Sequence, residues 1–144
     1  MYITIRELHS IIRWLVLLVL AFALYWSWLG TRRQKIWGKS ESRIVAALSG
    51  LVDLQLALGL ILYFVLSPTT TSMYQNLLTA VQKPGFLLLG LLHPIAMIGS
   101  AVLLHQIKPQ VLKLDSDQAK FKKMGLLVAI GLVVILLAIP WYLG

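Results

Sequence analysis

Three histidines lie within or at the ends of long apolar stretches, in a chain with few other reactive groups: His9, His93 and His105. A polar ring in such surroundings is costly and marks a functional position by default. Imidazole ligates transition metals and exchanges protons near neutral pH. Supplied by two facing helices of a bundle, a pair of them makes the axial ligand set of a b-type haem. Arg13 follows His9 by four residues and shares its helical face. A guanidinium there suits a planar carboxylate such as a haem propionate. Met97, one turn after His93, offers a thioether that packs on a ring edge or substitutes as a ligand. Gly90, a turn before His93, is where a flat macrocycle is expected to find room.

Asp53 is the other group out of place, near the middle of a second apolar stretch. A carboxyl there is expected to be protonated or paired, since a bare carboxylate in hydrocarbon is expensive. Its readings are a proton relay, a quinone hydrogen bond, a partner to a histidine, or an acid bonded to a neighbouring helix. Gln55, two residues on, faces nearly the opposite way, so the two do not form one site. Ala46, Gly50 and Ala57 share the Asp53 side and are expected to permit close helix contact. Plainer readings stand beside the others as well. His9, next to Arg6 and Glu7, also reads as an interfacial residue. His93 also reads as a histidine bonded to a neighbouring helix, and Arg13 as a snorkelling side chain. His105, before Gln106 and Lys108, reads as a boundary residue, and Pro94 as a helix bend.

These residues need helices to position them. Of 144 residues, 59% are hydrophobic and 12% charged, and the mean hydropathy is +0.85. Soluble domains carry roughly twice that share of charge. Four apolar stretches, 8–29, 44–66, 86–106 and 124–143, are each long enough to cross about 30 Å of hydrocarbon as a helix of roughly 20 residues. Strands would leave open edges in lipid. The expectation is therefore an all-α integral membrane protein, residues 1–144 forming a single domain. Its four transmembrane helices make an up-down-up-down bundle.

Basic residues set its orientation. Arg32, Arg33, Lys35, Lys39 and Arg43 fill the first loop, and Lys108, Lys113, Lys120, Lys122 and Lys123 the third, against Lys83 alone in the second. The positive-inside rule places loops one and three in the cytoplasm and both termini on the outer, periplasmic side. Tyr25, Trp26, Trp28 and Trp37 then mark the inner interface, Trp141 and Tyr142 the outer. The first stretch is too long for a signal-peptide core and ends in aromatics rather than a cleavage site, so it is expected to stay as a helix. The loop from Ser67 to Pro84 is expected to carry a short amphipathic piece over 73–78.

Composition also narrows the chemistry. Cysteine is absent, which excludes disulfides, iron–sulfur clusters, thiolate zinc sites and covalent c-type haem attachment. The formal charge of +8 is confined to loops beside the spans, a topology signal rather than a nucleic-acid footprint. There is no phosphate-binding glycine loop, no His-Glu-x-x-His and no nucleophile with an evident base. A free-standing enzyme is not expected.

With these residues in hand, the chain resembles a family of small four-helix membrane proteins that go under the name cytochrome b. Leu8-His9-Ser10-Ile11-Ile12-Arg13-Trp14 is similar to the family's opening His-Ser-x-x-Arg-Trp. The run from Leu54 to Leu60, then Leu62-Tyr63-Phe64 and Ser67-Pro68, resembles its second helix. His93 with Met97 resembles its third, and Ile139-Pro140-Trp141 its ending. Asp53 stands where the family has a histidine and Leu92 where it has a glutamate. The resemblance thus implies His9, Arg13 and His93 as haem-site residues, and either one haem rather than two or a relative that has lost haem and kept the scaffold.

The leading expectation is a small b-type cytochrome-like component of an electron-transfer chain, holding haem b between His9 and His93 in a bacterial inner (plasma) membrane. The alternative is a haem-free accessory subunit of a larger respiratory or photosynthetic complex. The expected partners are the lipid bilayer, larger electron-transfer subunits and a quinone, with no nucleic acid.

Overall fold

Backbone groups in hydrocarbon must find their partners within the protein, and a chain this apolar answers with helices. The structure, a computed structural model, describes residues 1–83 and 85–141, without the side chain of residue 74, and shows helices and no strand among them. Four helices are long and apolar enough to span a membrane: Tyr2–Arg32, Lys39–Leu66, Phe86–Val111 and Asp117–Ala138, the first to fourth spans. The chain is a multi-pass membrane protein. Residues 142–144 lie outside the described residues, and with them Tyr142 of the outer aromatic pair and the end of the expected fourth span.

The boundaries differ from the sequence expectation for identifiable reasons. The first span starts at Tyr2 rather than at residue 8, because the helix carries Glu7 and Arg6 on its surface instead of starting after them. The second starts at Lys39, where the Glu41 carboxylate accepts the Gly38 N–H at 2.8 Å and closes the first turn. The fourth starts at Asp117, capped by Ser116 Oγ, which accepts the Ala119 N–H at 3.1 Å. It stops at Ala138, because Ile139 is extended and Pro140 brings no N–H.

The first span packs on the second and fourth, and the third packs on the same two. First and third are therefore diagonal, as an up-down-up-down bundle requires. Trp14 and Trp141 meet at 6.1 Å between ring centroids, which ties the N-terminal half of the first span to the end of the bundle where the fourth stops. We call it the terminal end and its opposite the basic end.

At the basic end the helices lock together. Ser27 Oγ donates to the Phe121 carbonyl at 2.6 Å, and Gly125 leaves room for the serine. Trp26 Nε1 donates to Glu41 at 2.9 Å, joining the first two spans, while Lys35 Nζ stands 3.8 Å above the Trp26 ring. Phe121 fills the space that a side chain at Gly30 would need and meets Trp37 edge-on at 5.2 Å.

The terminal half is less regular. Two π-helical turns, Leu62–Leu66 and Phe86–Leu92, close the second span and open the third. Such turns occur often at functional sites. Pro94 has no N–H to give to the Gly90 carbonyl one turn back, and the Tyr63 hydroxyl donates to that carbonyl instead. Thr70 Oγ1 in turn donates to the Tyr63 carbonyl at 2.7 Å. Thr70 belongs to a short helix, Pro68–Gln75, capped by Ser67 with proline at its first position. The loop helix thus starts earlier than the piece expected over 73–78. It breaks at Asn76, resumes for one turn at Leu77–Ala80 and packs against both π turns.

Candidate functional site

The terminal half holds a half-open cavity of about 400 Å³, within the roughly 300–1,000 Å³ of ordinary small-molecule sites. His9, Arg13, His93 and Met97 all line it. His9 comes from the first span and His93 from the third, which lie diagonally across the bundle, and both line this one space.

The two histidines are held differently. His93 Nδ1 lies 2.9 Å from the Ala138 carbonyl. A carbonyl only accepts, so Nδ1 carries the proton and Nε2 is left with its lone pair. Metal-ligating histidines are commonly oriented in this way, by a hydrogen bond from the far nitrogen. His9 Nε2 lies 3.2 Å from the Gln55 amide nitrogen and accepts from it, while His9 Nδ1 is buried without a partner. Gly59 makes room for this ring, since a Cβ there would stand 3.2 Å from His9 Cε1.

Arg13 is fixed at the cavity rim. Its terminal nitrogen donates to Ser10 Oγ at 3.0 Å, and its guanidinium lies 5.6 Å from the Trp14 ring centre and 5.8 Å from that of Trp141. Its Nε is buried and unpartnered, as are Gln55 Oε1 and Ser100 Oγ. With His9 Nδ1 that makes four such atoms, all on residues of the cavity wall. Each costs about 1–3 kcal/mol if nothing meets it.

A bis-histidine haem is the group that the histidine pair and the family resemblance imply, and the residues present fit it. His93 presents a free nitrogen, His9 shares its cavity, and Arg13 supplies a cation for a carboxylate. No group of three or more His, Cys, Asp or Glu side chains gathers as a metal site among the described residues. Haem iron, which brings its own four nitrogens, needs no such group.

Other sequence expectations resolve differently. Gly90 does not face the cavity; it makes room for Phe86, 3.1 Å from where its Cβ would stand, and for Met73. Asp53 lies outside the cavity and pairs with His105, Oδ1 to Nε2 at 3.3 Å. His105 is therefore more than a boundary residue, and Asp53 takes the partner-to-a-histidine reading. Ala46, Gly50 and Ala57 do not seat a helix: all three are exposed, with nothing within 4 Å of a Cβ at Gly50. Gln55, Gly59 and Ser100 are among the cavity residues that sequence reasoning did not select for the site. The one available signal was the placement of Gln55 opposite Asp53.

Comparison of the chain with protein-family models, with curated proteins and with solved structures gave no match.

Proposed function

We propose that the chain is a small b-type cytochrome-like component of a bacterial membrane electron-transfer chain, with one haem b in the terminal-end cavity. The observation that carries this reading is the His93 ring, tied through Nδ1 to Ala138 beside a cavity that His9 and Arg13 also line. When bound, the haem supplies one-electron transfer at iron. His93 offers Nε2 as a ligand in a tautomer fixed by the Ala138 carbonyl. His9, whose Nε2 accepts from Gln55, would be the second residue to hold the group. Arg13, held by Ser10 and beside the two tryptophans, would pair with a propionate, and Met97 would pack against the ring. The apolar remainder of the wall excludes water, which tunes the potential.

The distribution of lysine and arginine supports a cytoplasmic basic end and outer termini in the plasma membrane. The haem then sits toward the outer face. The resemblance to small cytochrome b proteins points the same way, although Asp53 replaces the histidine that a second haem site would need.

Haem extraction from gently purified protein tests the reading. About one haem per chain is expected in the wild type, and none in His93→Ala at equal yield of folded protein. A colourless chain purified in fixed stoichiometry with larger subunits would overturn it in favour of a haem-free accessory role.

A further inference from the structure

His9 and His93 line one cavity, and each has one ring nitrogen already engaged. The two engagements have opposite results. At His93 the bonded nitrogen is Nδ1, which gives its proton to the Ala138 carbonyl and leaves the lone pair on Nε2 free. At His9 the bonded nitrogen is Nε2, which accepts from the Gln55 amide at 3.2 Å. A neutral imidazole has one acceptor nitrogen, and in His9 Gln55 already holds it. Any metal that takes His9 through Nε2 competes with Gln55 for the same lone pair. The proton stays on Nδ1 in either case, so the exchange moves no proton.

The two bonds also differ in how firmly they are kept. Ala138 is buried and ends the fourth span, and its carbonyl is among the last four, which have no partner within their own helix. His93 is thus tied to a group that needs it. Gln55 is an amide at the end of a flexible side chain, and its Oε1 makes no hydrogen bond. Gly59, one turn further along the second span, leaves room for the His9 ring, since a Cβ there would stand 3.2 Å from Cε1. Gln55 and Gly59 together form a seat on the second span where His9 rests when it is not a ligand.

We infer that Gln55 makes His9 a displaceable ligand and His93 the fixed one, so that the His9 side of the site admits a small uncharged diatomic molecule. Gln55 is a positioning residue, because it acts through His9. Val52 and Leu56 flank Gln55 along the second span and line the same cavity, an apolar surface that suits an uncharged guest. The inference rests on the proposed haem site and adds to it a second class of ligand.

The test is a carbon monoxide titration of the dithionite-reduced, haem-loaded full chain in detergent, followed by absorption. Carbon monoxide is expected to bind the wild type in place of His9. Gln55→Leu removes the rival for Nε2, and its carbon monoxide affinity is expected to fall about fivefold. Gln55→Glu keeps a rival in either form, the acid by donating to Nε2 and the carboxylate by drawing a proton onto it. It is expected to bind carbon monoxide at least as tightly as the wild type, whereas damage to the fold would move both variants the same way. In the haem-free chain, nitrogen NMR of isotope-labelled histidine is expected to show His9 protonated on Nδ1, and both tautomers in Gln55→Leu. A wild type that never carries haem overturns the proposed function, and this inference with it. A haem-bearing wild type that takes no carbon monoxide, a Gln55→Leu chain that binds it as tightly as the wild type, or a wild-type His9 protonated on Nε2 overturns the inference alone.

Discussion

Toward the basic end, the four spans close on Phe121, Leu20, Leu48, Leu104, Met124 and Val128, all fully buried. Toward the terminal end, the same spans leave a cavity of about 400 Å³ whose wall residues His9, Arg13, Gln55 and Ser100 each carry a buried polar atom without a partner. The basic half spends its polar groups on helix-to-helix bonds: Ser27 to Phe121 and Trp26 to Glu41. The terminal half turns its polar groups inward on the cavity and repairs its backbone with side chains, Tyr63 to Gly90 and Thr70 to Tyr63. The contrast shows how a chain of this size builds a site. One half supplies the packing that fixes the helices, so the other can hold His9, Arg13 and His93 around an open space without collapsing on them.

That division can be broken at several points. Phe121→Ala removes the ring that fills the space over Gly30, and should cost about 3–5 kcal/mol in detergent thermal unfolding. Haem content per folded molecule should hold, because the ring is remote from the cavity wall. Tyr63→Phe leaves the Gly90 carbonyl without its donor and should cost about 1–3 kcal/mol. The same change in a Pro94→Ala background should cost clearly less, since the alanine restores the backbone N–H, and a double-mutant cycle reads the difference. Ser27→Ala breaks a single helix-to-helix bond, with an expected loss of about 1 kcal/mol and no change in the cavity. Haem loss in this last variant would show that the two halves are not separable.

The helices and four residues of the cavity wall were legible for a common reason. Long apolar runs admit one secondary structure in lipid, and His9, Arg13, His93 and Met97 stand out because so few other groups compete with them. The pairing of His9 with Gln55, and of Asp53 with His105, was not legible. Each depends on how two helices are rotated about their axes. A span that is apolar on every face carries little pattern to set that rotation. The start of the first span was not legible because Arg6 and Glu7 look like a helix boundary, whereas the helix runs on to Tyr2. The π turns leave no mark in a sequence of leucines, although Pro94 is part of their cause.

The most direct test is a dithionite-reduced minus oxidised absorption spectrum of the intact chain purified in mild detergent, beside His93→Ala and Ser27→Ala. The account predicts a b-type signal in the wild type and in Ser27→Ala, and its loss in His93→Ala. A wild type without signal, or a signal that survives in His93→Ala, would contradict the claim that the hollow half of the bundle is a haem site.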